Sequence, residues 1–230
     1  MSVDKNHLIQ MMPAQARARI LSKCESVELT LSQVLYEAGT PTRYIYFPVR
    51  GFISLVVIVD DRSALEVGMV GSEGMLGVHV ALGLNASPLR SLVQGPGVAW
   101  RMSASKFRTE LSNHPQLQRG IHRYAAVLMS QMATSAACAR YHLIKPRLAR
   151  WLLMSQDRAH TDGFHVTQQF LSYMLGVRRV GVTVAAVALQ NDGLIHYRRG
   201  DVEVIDRKGL EAAACSCYAS DGAAYAMLAR

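Results

Sequence analysis

The chain has 230 residues, half of them hydrophobic, with a formal net charge of +8 and a sequence pI of about 9.6. This length and composition exclude a disordered chain and leave room for two domains with a sizeable core. The basic balance indicates a polyanionic partner, although a membrane surface or simple solubility would also account for it. The first residues lack the order of a secretory signal, and no apolar run reaches about 18 residues, so we expect a cytoplasmic protein without a membrane partner.

The first half of the chain changes from a helical to a β-type pattern. Residues 7–25 predict one or two short helices, interrupted by Pro13. Short β-type runs then follow at 27–31, 34–36, 44–47, 53–59, 65–70, 91–93 and 98–102. Turn signals separate them at Gly39, Pro41, Gly51, Asp60-Asp61, Gly71, Gly83, Pro88 and Gly95-Pro96-Gly97. Many short strands at regular spacing predict an antiparallel roll or barrel.

Helical patterns return after the β-type region. Ser103 is suited to cap a helix, and the longest helical candidate runs from about Pro115 to Tyr141. One narrow stripe follows this helix at Leu117, Ile121, Tyr124, Leu128 and Ser135. Such a stripe is typical of a homodimer seam, but it would serve equally well to pack the helix on the protein's own roll. A further helix is predicted over residues 145–156.

The segment from 166 to 206 has the pattern of a winged helix. Thr167 is a candidate N-cap of a short helix that Gly176 ends, and a second helix follows until Gly193. In this second helix Val180, Val184, Val187 and Leu189 lie on or near one face. Two short β-type runs, 194–197 and 202–205, enclose Arg198-Arg199-Gly200-Asp201 and predict a hairpin with a basic tip. Residues 220–230 are weakly patterned and are expected to be frayed or to depend on a partner.

These residues resemble a known family. The matching residues are Thr167-x-Gln169, Gly176-x-x-Arg179, Gly193-Leu194-Ile195, Arg199-Gly200, Ile205-Asp206 and Leu210-Glu211, and together they are similar to the DNA-binding domain of the cyclic-AMP receptor protein/FNR family of bacterial transcription regulators. The resemblance covers most of the chain but is strong only in its last third. It implies an α+β protein with a cyclic-nucleotide-binding-like antiparallel β-roll (jelly roll) as sensor over 1–113, a dimerisation helix over 114–142 and a winged helix-turn-helix over 143–230.

The resemblance also implies a function and partners. It implies a sequence-specific regulator, not an enzyme, that binds double-stranded DNA as a homodimer on a near-palindromic operator, with RNA polymerase as a further partner. It favours the dimer interpretation of the long-helix stripe. The basic residues of the last third, Arg140, Lys145, Arg147, Arg150, Arg158, Arg178, Arg179, Arg198, Arg199, Arg207 and Lys208, are expected to form a nucleic-acid surface.

The candidate DNA contacts lie in the helix-turn-helix and the wing. They are Thr167, Gln168, Gln169, Arg178, Arg179, Val180, Thr183, Val184, Arg198 and Arg199. Arg179 is the leading candidate for base readout, because a guanidinium can donate two hydrogen bonds to guanine. The cyclic-AMP receptor branch carries an acid and an Arg where this chain has Val180 and Val184. These valines would either touch thymine methyl groups or face inward, and Gly181 in the same helix is a poor helix former.

A small effector in the roll is a weaker expectation. By the resemblance, its contacts would be Gly77, Val78, Arg90 and Ser91, but the acid that holds a ribose in cyclic-nucleotide receptors is missing after Gly77. Cyclic AMP is therefore disfavoured, and the cofactor stays unknown. An iron-sulfur sensor would need more than Cys24 near the N-terminus, whereas His79, His114, His122 and His142 leave a haem sensor open.

The four cysteines are expected to be reduced thiols, and no metal site is predicted, because Cys215-Ser-Cys217 lacks the usual spacing of a zinc-binding pair. Two other functions stay open at this point. One is a cupin-type metalloenzyme, which would need more ligands inside the roll than His79 alone. The other is a dimeric interaction module whose winged helix has lost specific DNA readout, as Val180, Gly181 and Val184 would allow.

Overall fold

The computed structural model describes residues 5–60 and 63–229. Its described residues form two compact units. One comprises the residues up to 55, residues 69–129 and the end of the chain from 228, and the other comprises 56–68 and 130–227. Strands and helices are numbered in chain order below. The predicted turn at Asp60-Asp61 lies partly outside the described residues.

The first half of the chain forms an antiparallel roll, most of which belongs to the first unit. Helices α1 (His7–Gln10) and α2 (Ala14–Leu21) precede strands β1 (Glu25–Leu29), β2 (Val34–Tyr36), β3 (Tyr44–Val59), β4 (Ser63–Val70) and β5 (Arg90–Ser103), with α3 (Val78–Ala81) between β4 and β5. The strand order is β1-β5-β3-β4, and β2 also pairs with β5. Helix α4 (Ala104–Asn113) follows, capped by Ser103 as predicted. Phe47 and Phe107 pack edge to face in the core of this unit.

Two of the predicted turns lie inside long strands. Gly51 does not end β3, and Gly95-Pro96-Gly97 does not end β5, so the runs predicted as four strands form two. The reason is a close approach of the two backbones. A Cβ atom on Gly51 would lie 2.3 Å from the carbonyl oxygen of Gly95, and one on Gly97 would lie 2.2 Å from that of Arg50. The glycines therefore allow the close approach of the neighbouring strands β3 and β5 instead of reversing the chain.

Helix α5 spans Pro115–Tyr141, as predicted, but its predicted stripe faces inward. Leu117, Ile121, Tyr124 and Leu128 are each no more than 5% exposed within the single chain. The ring of Tyr124 fills the space above Gly74, where a Cβ atom would lie 2.2 Å from it. Ser135 accepts a hydrogen bond from Arg150 at 3.2 Å. Leu117, Ile121, Tyr124 and Leu128 are thus buried within their own chain, which favours the alternative in which the stripe packs on the protein's own roll.

The second unit carries the predicted winged helix. Helix α6 (Ile144–Ala159) leads to β6 (Gly163–His165), α7 (Gln168–Leu175), α8 (Arg179–Asn191), β7 (Ile195–Arg198), β8 (Asp201–Val204) and α9 (Arg207–Ala213). The three strands form a sheet in the order β6-β8-β7, of which β6 was not predicted. Helices α7 and α8 are bent by 108° at their three-residue break, as in a helix-turn-helix. No single helix in the described part of the chain is long and apolar enough to cross a bilayer, although α7 and α8 would pass that test if counted together.

The chain does not fray after α9. Helix α10 runs over Cys217–Ala226, and a 3-10 turn follows at Met227–Ala229. Its buried residues are Cys217, Asp221 and Ala224. The alanine-rich sequence hides this helix, since one of its anchors is a carboxylate that pairs with a distant arginine. The prediction of a frayed end is wrong for the described residues.

Gly51→Ala is expected to destabilise the roll more than Gly39→Ala does. Both glycines have nearly the same left-handed backbone, with φ of +77° and +76°, but a Cβ atom on Gly39 would meet nothing within 4 Å. Alanine therefore pays the same backbone strain at both positions. The difference between the two variants in unfolding free energy reports the clash with β5 alone and should be about 1–3 kcal/mol. Urea unfolding of both variants measures this difference in the free energy of unfolding. Equal losses of stability would show that β5 moves away from the added Cβ atom at no energetic cost.

Candidate DNA-binding surface

Helix α7 is fixed at both ends. At its start the Thr167 hydroxyl accepts a hydrogen bond from the amide of Phe170 at 3.1 Å, which confirms the predicted N-cap. At its end Gly176 has a φ of +61° and serves as a left-handed cap. The buried guanidinium of Arg147 donates to the carbonyl oxygen of Leu175, which would otherwise be an unpaired acceptor at the helix end. The first helix of the pair is thus held by a residue of α6.

Helix α8 lies close to the start of α6 because residue 181 has no side chain. A Cβ atom on Gly181 would lie 2.6 Å from Cδ1 of Ile144. The residue that looks unfavourable for a helix therefore has a packing role. The buried face of α8 consists of Val182, Ala185, Ala186 and Leu189.

The opposite face of α8 is exposed and carries the predicted readout residues. Arg178 and Arg179 are exposed at its start, and the side chain of Arg178 does not cap the helix. Val180 and Val184 are 73% and 67% exposed, and Val187 is 50% exposed. The sequence placed these valines on a common face with the buried Leu189, which is wrong. They face outward, so the interpretation in which Val180 and Val184 point inward is excluded.

Two further candidates are engaged with each other. The Thr183 hydroxyl lies 2.6 Å from Oε1 of Gln168 and 3.1 Å from the carbonyl oxygen of Arg179. It therefore links the start of α7 to the exposed end of α8. Gln169 is exposed, and its amide nitrogen lies 3.4 Å from the hydroxyl of Ser172. Thr183 and Gln168 are thus placed to orient α8.

The wing is a tight hairpin beside α8. Arg199 and Gly200 form its two-residue tip with φ values of +54° and +94°, the signature of a type I′ turn. Both Arg198 and Arg199 are exposed there. The backbone amide of Tyr197 donates to Oε1 of Gln190 on α8 at 2.8 Å. Burial raises the pKa of Tyr197 to about 12, so its hydroxyl stays protonated and donates to the Val166 carbonyl at 2.6 Å.

The predicted effector residues lie on two sides of Tyr36. Gly77, with a φ of +103°, approaches the Tyr36 hydroxyl so closely that a Cβ atom would lie 2.8 Å from it. Ser91 is the strand partner of Tyr36 and is fully buried. A terminal guanidinium nitrogen of Arg90 lies 3.3 Å from a carboxylate oxygen of Glu37. Among the described residues, neither Nε of Arg90 nor the hydroxyl of Ser91 has a hydrogen-bond partner.

Helix α3 completes the region around these residues. Val78 is half-buried, whereas His79 is buried and lies 2.7 Å from the Thr42 hydroxyl. Burial lowers the pKa of His79, assisted by the charge of Arg108. An imidazole with a lowered pKa therefore occupies the region in which the resemblance implies a carboxylate.

Comparison with known proteins identifies this arrangement. A family model described as the Crp-like helix-turn-helix domain matches residues 146–213, which contain α7, α8 and the wing. Residues 146–213 are a Crp-like helix-turn-helix domain. Most of the chain has the fold of CRP/FNR structures. This confirms the resemblance drawn from the sequence and the α+β architecture of β-roll, long helix and winged helix.

Three solved structures illustrate the CRP/FNR fold. FixK2 from Bradyrhizobium japonicum matches with a TM-score of 0.70 and 14% identity over 84% of this chain and 98% of its own. A putative transcriptional regulator of the crp/fnr family from Eubacterium rectale matches with a TM-score of 0.69 and 13% identity, over 90% of this chain and 96% of its own. CLP from Xanthomonas campestris is described as a c-di-GMP responsive global regulator. It matches with a TM-score of 0.67 and 19% identity, over 84% of this chain and 99% of its own. No curated protein matches the chain in sequence.

Part of the predicted basic surface of this Crp-like domain is internal. Arg147, Arg150 and Arg158 are each no more than 9% exposed. Arg150 forms a buried ion pair with Asp221 on α10, with nitrogen-oxygen distances of 2.6 and 3.0 Å. Arg158 donates to the Met154 carbonyl at 3.0 Å. These three residues stabilise the domain and do not belong to a nucleic-acid surface.

Asp221→Asn is expected to lower the free energy of unfolding of the protein by about 3–5 kcal/mol, because it leaves the charge of Arg150 buried and uncompensated. Glu211→Gln is the matched control, since it removes a carboxylate from the exposed pair with Arg207 and should cost about 0–1 kcal/mol. Chemical denaturation of both variants gives the comparison. Equal losses of unfolding free energy in the two variants would show that the buried Arg150–Asp221 pair stabilises the protein no more than the exposed pair does.

Proposed function

We propose that the chain is a sequence-specific transcription regulator that binds duplex DNA as a homodimer on a near-palindromic operator. The observation that carries this proposal is the two-sided character of α8. Its inner face packs in the domain, while Arg178, Arg179, Val180 and Val184 are exposed on its first two turns. An exposed helix of this kind fits the major groove, where residues from its N-terminal part reach the base edges.

The side chains divide into readout and phosphate contacts. Arg179 would donate two hydrogen bonds to a guanine, and the methyl groups of Val180 and Val184 would contact thymine methyl groups. Thr167, Gln169, Arg178, Arg198 and Arg199 would contact the phosphates of the backbone and fix the register. Gln168 and Thr183, which are hydrogen-bonded to each other, would orient α8. The operator should therefore contain both a guanine and thymines in each half-site.

The long helix offers a different surface for dimerisation than the sequence suggested. Exposed residues recur on α5 at intervals of four and three, at His122, Ala126, Met129, Ala133, Ala136 and Arg140. Met129 is 69% exposed, and the alanines around it would let a second helix approach closely. A repeat of 3.5 residues is that of a two-stranded coiled coil. Two chains paired along this stripe would present two copies of α8 to half-sites about one helical turn apart.

The roll is proposed to sense a small effector. Ser91 and Arg90 offer donors without a protein partner among the described residues, which suits an anionic group. His79 and Val78 in place of an acid argue against cyclic AMP as that effector. RNA polymerase as a further partner and a cytoplasmic location follow from the resemblance and belong to the same proposal.

A second candidate is a dimeric interaction module, favoured by the exposure of Val180, Val184 and Val187 on the same helix. Such an apolar strip would also suit a protein partner. Selection from random DNA duplexes, followed by sequencing, separates the two functions. A near-palindromic motif supports the regulator, and binding without any enriched motif supports the interaction module.

Arg179→Ala is expected to weaken operator binding by about 1–3 kcal/mol per half-site while weakening binding to scrambled DNA far less. Arg43→Ala removes the same charge from an exposed position in the roll and serves as the control. Fluorescence anisotropy with the selected operator and a scrambled duplex, at one fixed salt concentration, measures both affinities. An unchanged ratio between the two duplexes would remove Arg179 from base readout.

Ala133→Glu is expected to convert the dimer to a monomer, because the two-fold axis would bring two carboxylates together in a closely packed seam. Glutamate favours helices, so α5 itself should persist. Ala212→Glu makes the same change at an exposed position of α9. Sedimentation equilibrium should show a monomer for the first variant and a dimer for the second. A dimeric Ala133→Glu protein would move the seam elsewhere.

A further inference from the structure

Four side chains with metal-binding atoms meet at the C-terminal end of α5. They are Cys138, His142, Cys215 and Cys217, and their ligand atoms all lie within 4.8 Å of one another. The sulfur atoms of Cys138 and Cys215 are 3.5 Å apart, and the sulfur of Cys217 is 3.5 Å from Nδ1 of His142. All four residues belong to the unit that contains the winged helix.

Two of these distances match the edges of a tetrahedral zinc site. With zinc-sulfur bonds of about 2.3 Å and zinc-nitrogen bonds of about 2.0–2.1 Å, the edges of a tetrahedron are about 3.5–3.8 Å long. The two measured contacts fall at this value, and the 4.8 Å limit leaves no ligand far from the others. Three thiolates and one imidazole are also a common ligand set of structural zinc sites.

The backbone explains why the four residues converge. Cys138 and His142 are four residues apart, and the amide of His142 continues the helical hydrogen bonding to the Cys138 carbonyl at 3.2 Å. Both side chains therefore lie on one face at the end of α5. Cys215 and Cys217 stand on either side of Ser216 at the start of α10, and the Cys215 amide lies 3.4 Å from the Pro146 carbonyl at the start of α6.

Burial and charge favour a bound cation with thiolate ligands. Cys138, Cys215 and Cys217 are buried at 2%, 8% and 8% exposure, whereas His142 is partly exposed and offers an entry path. Three thiolates around a divalent ion leave one negative charge. The buried guanidinium of Arg150 interacts electrostatically with all three cysteines. An isolated disulfide would explain only two of the four residues.

We propose that Cys138, His142, Cys215 and Cys217 bind one zinc ion in a closed, structural site. The ion would tie the end of α5 and the start of α6 to the segment between α9 and α10. Because the protein supplies all four ligands, no position is left for a substrate, and the role of the ion is to stabilise the unit. This proposal does not depend on the proposed binding of DNA.

Metal analysis of the purified full-length protein, reduced and then dialysed against buffer with trace zinc, tests the site. We expect one zinc ion per chain in the natural protein and in Cys24→Ser, which removes a cysteine outside the cluster. Cys215→Ser should bind zinc more than about 100-fold more weakly in competition with a chromophoric chelator, since even outer-shell changes cost about 10–100-fold. Equal zinc affinity in Cys215→Ser would overturn the proposal.

A second variant and a second metal guard against a folding artefact. His142→Ala changes the partly exposed ligand, so it should fold and yet lose affinity for zinc. Cobalt(II) added to the metal-free natural protein should give the visible absorption of a tetrahedral thiolate complex, with weaker absorption in His142→Ala. Zinc should raise the melting temperature of the natural protein and leave that of Cys215→Ser unchanged. A metal-free natural protein whose Cys138 and Cys215 oxidise to a disulfide, with no response to zinc or cobalt, would reject the site.

Discussion

The winged-helix unit depends on two buried guanidinium groups of α6, each of which is paired with acceptors on other helices. A guanidinium cannot give up its charge, so each must find acceptors inside the protein. Arg147 satisfies the carbonyl group at the end of α7, and Arg150 contacts both Asp221 on α10 and Ser135 on α5. Three other helices are thereby positioned against α6 by hydrogen bonds as well as by apolar packing. The placement of α7 in turn sets where α8 begins.

Features that a few neighbouring residues determine could be predicted from the sequence. The cap at Thr167, the end of α7 at Gly176 and the hairpin with Arg199-Gly200 at its tip each depend on local backbone geometry, and all three occur as predicted. Glycine is less informative in the roll, because a turn and a close approach of two strands both select it. Gly51 is predicted as a turn, but it allows the close approach of the neighbouring strands β3 and β5.

Features that depend on distant partners could not be predicted in the same way. Periodicity located a stripe on α5 but not what covers it, and the larger side chains of that stripe pack against the protein's own chain. The arginines of α6 appeared to be surface charges because Asp221 lies 71 residues away from Arg150 in sequence. Likewise, Cys215-Ser-Cys217 appeared incomplete, since Cys138 lies 77 residues from Cys215. A winged helix could thus be predicted, whereas the contacts that hold it could not.

The burial of arginines on α6 affects how the charge of this protein should be interpreted. Only cations that reach phosphate oxygens displace the counterions condensed on a duplex, and that displacement sets how steeply affinity falls with salt. Arg147, Arg150 and Arg158 are enclosed and displace none. The ionic-strength dependence of any nucleic-acid complex would therefore reflect the few arginines at the tip of the hairpin and the start of α8, and not the high isoelectric point.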